Sequence, residues 1–254
     1  MARFAATIFD FVNTLVKTPS DLVPVAGESP GELTRFELTV RVMHDSLVKS
    51  GIKVDWSSFY EKYMVIREEQ LQSRKRTLRE YDMSERVART LSALGHKISK
   101  DSESVKKAIK SHFDSYETYV DVDRDALSLL QGLRLRYKIG LITNFAYAPT
   151  IYNLLNRFQL RQFFDDIVIS GEVGWVKHSP RIFQVALSAL RLKAHECVFV
   201  GDEKEADIEG GRGVGMKTIL LSEKDTDCPD ADTIVRNLAD LALVISELEN
   251  RRTP

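Results

Sequence analysis

Residues 5–15 have the sequence Ala5-Ala6-Thr7-Ile8-Phe9-Asp10-Phe11-Val12-Asn13-Thr14-Leu15. The first five residues form a mostly apolar run of strand length, and the carboxylate of Asp10 follows this run directly. In open α/β sheets, ligands bind at the carboxyl ends of the strands. The segment therefore predicts a buried first strand, with Asp10 at the ligand-binding edge of a sheet.

From about residue 123 onward, short apolar runs alternate with helical patterns. The predicted strands are 5–9, 139–143, 166–170, 196–200, 216–221 and 233–235. The predicted helices lie near 123–136, 149–158, 180–190, 206–213 and 237–249. This alternation is typical of βαβ units, so we expect an α/β fold built on a parallel sheet.

Residues from about 30 to 118 differ from the rest, because their periodicity is helical almost throughout. Four apolar residues share one face of the first predicted helix: Phe36, Val40, Met43 and Leu47. We expect Asp55 and Ser84 to cap two of these helices at their N-termini. The simplest organisation is an α/β core formed by residues 1–16 and 120–254, with an all-helical domain inserted at residues 17–119.

Composition narrows the class of protein. Lys and Arg number 36 and Asp and Glu number 37, so the formal net charge is −1 and favours neither nucleic acid nor a membrane surface as a partner. The two cysteines do not make a disulfide framework. No stretch approaches the roughly 20 apolar residues that span a bilayer, and the first strand begins too early for a signal peptide. We expect a cytoplasmic protein, whose oligomeric state the sequence leaves open.

Three further segments place polar side chains where predicted strands end. They are Leu141-Ile142-Thr143-Asn144, Gly171-Glu172-Val173-Gly174-Trp175-Val176-Lys177 and Val200-Gly201-Asp202-Glu203-Lys204-Glu205-Ala206-Asp207. Each segment alone has an ordinary explanation, such as a helix cap, a surface lysine or an acidic helix start. Together with the first segment, they place chemically active groups at one edge of the predicted sheet.

In order and spacing, these four segments resemble the four motifs of the haloacid dehalogenase superfamily of hydrolases. The helical insert after the first segment resembles the C1-type cap of that family. The resemblance covers the whole α/β core and implies a Rossmannoid parallel-sheet fold with an inserted all-helical cap domain. It also implies a hydrolase with an aspartate nucleophile, most simply a phosphatase that acts on a small anionic metabolite through an aspartyl-phosphate intermediate.

The same resemblance implies roles for individual residues. Asp10 would attack the substrate, Thr143 would hydrogen-bond the transferring group, and Lys177 would neutralise negative charge. The implied substrate-binding residues are Phe11, Thr143, Asn144 and Lys177. The implied ligands of a Mg²⁺ ion are Asp10, the backbone carbonyl of Val12, Asp202 and, in the outer shell, Asp207. Such an assembly suits phosphoryl transfer, because a carboxylate attacks covalently and cationic groups must offset the negative charges that meet there.

Position 12 departs from the phosphatases of the family, which usually carry a second aspartate there. That carboxylate protonates the leaving alcohol and later deprotonates the attacking water, and Val12 can do neither. General acid–base catalysis contributes about 10²–10⁴ in rate, which corresponds to roughly 3–5 kcal/mol of barrier. Val12 therefore predicts poor hydrolysis of ordinary sugar phosphates.

Three functions are compatible with Val12. The first is a Mg²⁺-dependent phosphatase whose substrate has a good leaving group, or which uses another acid. The second is a metal-independent 2-haloacid dehalogenase, since a halide leaves unprotonated. Arg35 and Arg41 lie where dehalogenases carry a cap arginine, but Asp202 and Phe183 depart from their pattern. The third is a protein that binds a phosphorylated ligand or regulates without turnover. A phosphonatase-like activity would also accept a small residue at position 12, and it would need a cap lysine to form a Schiff base.

Overall fold

The computed structural model describes residues 4–22, 34–224 and 227–250. The chain forms two compact units, one composed of Met1–Lys17 and Asp121–Pro254 and the other of Thr18–Val120. The helical insert predicted at residues 17–119 differs from the second unit by one residue at each end. Among the described helices, none has the length and apolar character needed to cross a membrane.

The described residues contain strands and α-helices in the following chain order. The strands are β1 (Ala6–Phe9), β2 (Val16–Lys17), β3 (Asp121–Val122), β4 (Lys138–Thr143), β5 (Asp166–Ile169), β6 (Cys197–Gly201), β7 (Lys217–Leu221) and β8 (Thr233–Val235). The helices are α1 (Arg35–Lys49), α2 (Trp56–Thr77), α3 (Met83–Ala93), α4 (Glu103–Glu117), α5 (Ala126–Arg134), α6 (Ala148–Arg157), α7 (Ser170–Val173), α8 (Pro180–Leu190), α9 (Gly210–Gly213) and α10 (Leu241–Asn250).

Six strands form one parallel sheet in the order β5-β4-β1-β6-β7-β8, which confirms the predicted α/β class. Strand β1 is paired with β4 on one side and with β6 on the other, so that Phe9 lies opposite both Leu141 and Val200. The strand order reverses at β1, and the ligand crevice of such sheets opens at the carboxyl ends of the strands beside the reversal. This topology places the crevice at Asp10.

The central strands are buried, which explains why their boundaries were visible in the sequence. All residues of β1 and β6 are buried, so these strands are continuous apolar runs with clear ends. Every predicted strand boundary agrees with the structure to within one residue. Helix α8 packs on β4 and β5, and its Phe183 ring meets the ring of Phe199 on β6 edge to face, with centroids 5.4 Å apart.

The helix predicted at 206–213 is only partly correct. Residues Lys204–Glu209 form a π-helical turn, and the α-helix that follows, α9, is limited to Gly210–Gly213. Periodicity in the sequence does not distinguish a π-helical turn from an α-helical one. Such turns are frequent at functional sites, and this one directly follows β6.

The second unit contains α1 to α4, with α1 packed on α4 and α2 packed on α3. The predicted apolar face is buried, as the exposures of its members show: Phe36, Val40, Met43 and Leu47 are all at most 8% exposed. Asp55 caps α2 as expected. The expectation for Ser84 is wrong, because Asp82 caps α3 and accepts the backbone N–H of Ser84. The helix begins at Met83, whose side chain is buried.

Candidate active site

Three neighbouring strands end in polar residues at one edge of the sheet. Asp10 follows β1, Thr143 is the last residue of β4, and Asp202 follows β6. The backbone N–H of Asp10 donates to the carbonyl of Val200 at 2.8 Å, so the pairing between β1 and β6 continues to Asp10. Because parallel strands share one carboxyl-terminal edge, the topology brings these polar residues together.

Lys177 is the buried cation of the site. Its Nζ donates to Oδ1 of Asp10 and to Oδ1 of Asp207, both at 2.6 Å, and the residue is 5% exposed. Burial acts to lower the pKa of Lys177, but the two carboxylates outweigh burial and raise the pKa above its ordinary value. The ammonium therefore stays charged, held between two carboxylates.

Asn144 holds the backbone of Lys177 with both ends of its side-chain amide. The N–H of Lys177 donates to Oδ1 of Asn144 at 2.7 Å, and Nδ2 of Asn144 donates to the carbonyl of Lys177 at 3.2 Å. The peptide bond between Lys177 and His178 is cis. Asn144 thus holds the backbone of Lys177, and the substrate contact expected of Asn144 stays a prediction.

Asp207 is fully buried behind the end of β6. It lies in the π-helical turn, where its Oδ2 accepts the backbone N–H of Glu203 at 3.0 Å while its Oδ1 accepts from Lys177. Gly201 is required beside it, because a Cβ at position 201 would overlap the carboxylate of Asp207. The glycine at the end of β6 thus makes room for the second partner of Lys177.

Asp10, Asp202 and Asp207 form a carboxylate cluster, in which one oxygen of each lies within 4.8 Å of the other two. The hydroxyl of Thr14 donates to Oδ1 of Asp202 at 3.3 Å. Burial raises the pKa of Asp202 to about 7, and the negative charge of Asp10 contributes to the rise. Burial also raises the pKa of Asp207 to about 7, against the attraction of Lys177.

The donor set of this cluster suits a hard divalent cation. Carboxylate oxygens are the ligands that Mg²⁺ and Ca²⁺ prefer. With the three carboxylates ionised and Lys177 protonated, the cluster has two more negative than positive charges, and a divalent cation would balance them. By ligand type and by charge, the carboxylate cluster therefore fits the Mg²⁺ ion that the family resemblance implies.

Of the remaining predicted site residues, Phe11 and Val12 follow Asp10 along the chain, and Thr143 ends the neighbouring strand β4. Phe11 is fully buried, so that its backbone is the part able to meet a ligand. Val12 forms an isolated bridge with Val16, and its side chain has no exchangeable proton. Thr143 is 1% exposed and lies opposite Ile169 of β5. The structure brings Asp10, Lys177, Asp202 and Asp207 into direct or near contact.

Thr14 supports the site without having been singled out by the sequence pattern, whereas Gly201 belongs to the Gly201-Asp202 turn of the fourth segment. The hydrogen bond from Thr14 to Asp202 joins residues 188 positions apart, and no local pattern reveals it. Gly201 carried a usable signal, because a glycine that ends an apolar strand marks the close approach of another group. That group is the carboxylate of Asp207.

One family of enzymes matches most of the chain. Residues 7–221 match the haloacid dehalogenase-like hydrolases. The chain belongs to this family. Membership confirms the expected resemblance and the hydrolase class, and it agrees with the parallel sheet and with the polar residues that follow its strands.

Members of the haloacid dehalogenase-like family with similar sequences carry phosphatase names. The chain is 28% identical over 197 residues to the glyceraldehyde 3-phosphate phosphatase of Methanopyrus kandleri, a match that covers 73% of this chain and 79% of that protein. It is 26% identical over 262 residues to the Pyrococcus furiosus protein of the same name, a match that covers 98% of this chain and 96% of that one.

A solved structure within the family shows the same fold over nearly the whole chain. It is a 2-haloacid dehalogenase from Pseudomonas syringae pv. Tomato DC3000, with a TM-score of 0.67 and 22% identity. The match covers 96% of this chain and 99% of that chain. At this level of identity the likeness establishes the fold and leaves the reaction to be argued from the site.

Proposed function

We propose that the protein is a Mg²⁺-dependent phosphatase that hydrolyses a small phosphorylated metabolite through an aspartyl-phosphate on Asp10. The observation that carries the proposal is the position of Lys177, whose ammonium contacts Asp10 and Asp207 within the cluster that includes Asp202. Relatives named glyceraldehyde 3-phosphate phosphatase support the reaction class.

The proposed metal ligands are Asp10, Asp202 and the backbone carbonyl of Val12, with Asp207 in the outer shell. A Mg²⁺ ion bound there would supply positive charge that offsets the negative charge of the phosphoryl oxygens. Asp207 already accepts from Lys177 and from the backbone of Glu203, so an outer-shell role fits its contacts. Thr14 would orient Asp202 through its hydrogen bond.

In the proposed reaction, a carboxylate oxygen of Asp10 bonds to phosphorus, and the bond from phosphorus to the leaving oxygen breaks with its electron pair. Water then attacks phosphorus, the bond to Asp10 breaks, and phosphate leaves. Lys177 neutralises charge on both carboxylate and phosphoryl oxygens, while Asn144 holds its backbone in place. Thr143 and the backbone at Phe11 would hydrogen-bond the phosphoryl group.

Val12 restricts the class of phosphorylated substrates that the proposed phosphatase would hydrolyse efficiently. Without a carboxylate at position 12, neither the leaving oxygen nor the attacking water has the family's usual proton-transfer group. The loss is about 10²–10⁴ in rate for a poor leaving group. Acyl and enol phosphates, whose leaving oxygens need little protonation, are therefore the favoured substrates.

Dehalogenation is the weaker candidate, because the two arginines that would favour it have other partners and Phe183 departs from the dehalogenase pattern. Arg35 pairs with Asp21 at 2.7 Å, and the guanidinium of Arg41 lies 4.8 Å from the centre of the Trp56 ring. Phe183 is fully buried and offers no hydroxyl. We propose instead that the helical unit has the role of the family's C1-type cap and supplies substrate specificity to a catalytic core of residues 1–16 and 120–254.

Phosphate release from a mixed panel tests the proposed function. The panel contains acetyl phosphate, p-nitrophenyl phosphate, glyceraldehyde 3-phosphate and a nucleoside monophosphate, each with Mg²⁺ and with a chelator. We expect Mg²⁺-dependent release that is fastest with acetyl phosphate and is lost in Asp10→Asn. Halide release from 2-chloropropionate without metal would support dehalogenation, and binding without turnover would support a regulatory role.

A further inference from the structure

The helical unit contains a guanidinium that is buried among neutral groups. Arg86 of α3 is 2% exposed. Its Nε donates to Oε1 of Gln70 at 2.8 Å, and its Nη1 donates to the hydroxyl of Tyr63 at 3.1 Å. Its Nη2 is buried and has no hydrogen-bond partner in the part of the chain that the structure describes. A strong charged donor is therefore left unused.

The surroundings of Arg86 cover the faces of its guanidinium plane. The ring centre of Tyr81 lies 4.4 Å from Cζ, and that of Tyr63 lies 5.3 Å away. Such stacking offsets part of the desolvation of a buried cation, but hydrogen bonds to a guanidinium lie in its plane. The in-plane donor at Nη2 is therefore the position that an anion would satisfy, since a buried donor without an acceptor costs free energy.

A second arginine lies close to the same place. Tyr63, Arg67 and Gln70 follow one another at helical spacing on the face of α2 that meets Arg86. The guanidinium of Arg67 lies 5.2 Å from the ring centre of Phe36. Burial lowers the pKa of Arg67, and the charge of Arg86 lowers it further. Two cations that repel each other in a partly buried place favour an anion beside them.

We propose that Arg67 and Arg86 form an anion-binding pocket in the helical unit, which takes the carboxylate or phosphate group of a small ligand. Nη2 of Arg86 and the guanidinium of Arg67 are its donors, while Gln70 and Tyr63 hold Arg86 in place. Arg67 and Tyr81 are partly exposed, so the ligand enters from the side that they cover. The anion is a free carboxylate or phosphate ligand bound within the helical unit.

Arginine footprinting of the full chain tests the pocket independently of catalysis. Phenylglyoxal modifies accessible guanidinium groups, and mass spectrometry measures the rate at each arginine with inorganic phosphate, succinate or chloride at equal ionic strength. We expect phosphate and succinate to slow modification of Arg67 by about tenfold relative to chloride, since charge-assisted contacts are the strong ones. Arg89, exposed on α3 and paired with Glu69 at 2.5 Å, is the internal control.

Equal rates at Arg67 in all three salts would overturn the pocket, whether or not the protein releases phosphate from any substrate. Succinate carries no phosphoryl group, so its effect at Arg67 does not depend on the proposed phosphatase activity. Protection of Arg67 and Arg89 to the same degree would also overturn it, because a screening effect of the salt acts on both.

Discussion

At the scale of single residues, the site contains groups that stabilise charge, but position 12 lacks a side chain that transfers a proton. Lys177 and the carboxylates that surround it are in direct contact, as the capture of a phosphoryl group requires. On the proposed function, Val12 stands where phosphatases of the family usually carry a proton-transfer group, and its side chain cannot transfer a proton. On the proposed function, formation and hydrolysis of the aspartyl-phosphate should therefore depend strongly on the leaving group.

Restoring a carboxylate at position 12 should increase activity towards poor leaving groups. We expect Val12→Asp to raise kcat/KM for a sugar phosphate or glyceraldehyde 3-phosphate by about 10²–10⁴, the range of general acid–base catalysis. Acetyl phosphate should gain much less, because its leaving group needs little protonation. Initial-rate phosphate assays with both substrates measure the difference.

Val12→Asn is the matched control, because it has the shape of aspartate without a titratable group. Its rates should stay near those of the wild type. An equal gain in Val12→Asn and Val12→Asp would show that polarity or volume at position 12 matters and that proton transfer does not.

At the scale of elements, the junction between β6 and the π-helical turn sets the position of Asp207. Gly201→Ala should push the carboxylate of Asp207 away, because the added Cβ would overlap it. We expect about 10²-fold or greater loss of kcat, comparable to the removal of one charge-stabilising donor. Gly213→Ala is the matched control, since a Cβ there meets nothing within 4 Å. Equal activity in the two variants would contradict the role of Gly201.

The packing of α4 predicts a dependence of stability on pH. Burial lowers the pKa of His112 to about 4, and the residue is 6% exposed. The unfolded chain binds this proton near pH 6.5. The contribution of neutral His112 to the free energy of unfolding is therefore fully present above about pH 6.5 and is lost as the pH falls towards 4. The loss at about pH 4.5 should be roughly 2–3 kcal/mol, at 1.36 kcal/mol per pKa unit.

Urea denaturation at several pH values measures this effect of His112. The difference in unfolding free energy between high and low pH should shrink in His112→Phe, which removes the titration and keeps an aromatic ring. His96→Gln, at a partly exposed position, is the control. An undiminished pH dependence in His112→Phe would contradict the assignment to His112.

Elements whose ends coincide with a change from buried to polar residues were predictable from the sequence. Strand β8 and helix α8 have the predicted boundaries. The start of α3 was missed, because Asp82 and Ser84 are both good caps and burial of Met83 decides between them. The ion pair between Lys177 and Asp207 was also beyond the sequence, since it depends on the π-helical turn and on Gly201.

At the scale of the whole molecule, the carboxylate cluster links metal binding to stability. Three carboxylates face one ammonium within the α/β unit, so the folded state contains uncompensated repulsion in a metal-free buffer. A ligand that binds the folded state stabilises it by about 2.7 kcal/mol at a concentration 100 times its Kd. Mg²⁺ should therefore raise Tm, and a chelator should reverse the rise.

Asp202→Asn tests the metal site further, because we expect a higher Tm in chelator and a smaller rise in Tm with Mg²⁺. Removing the negative charge of the partly buried Asp202 should raise Tm in chelator, by about 2–4 °C for each kcal/mol of repulsion relieved. The same substitution should reduce the rise in Tm with Mg²⁺. Thermal unfolding of the wild type and Asp202→Asn with and without Mg²⁺ measures both. A full Mg²⁺ response in Asp202→Asn would contradict the proposed metal site.

The central claim is that Asp10 accepts a phosphoryl group, and rapid acid quenching followed by peptide mass mapping tests it most directly. The full chain is mixed with acetyl phosphate and Mg²⁺ and quenched within the first turnovers. We predict a phosphoryl group on the peptide that contains Asp10, which accumulates because Val12 cannot activate the attacking water and which is absent in Asp10→Asn. Phosphate release that persists in Asp10→Asn, with no modification of the wild-type peptide, would contradict the account.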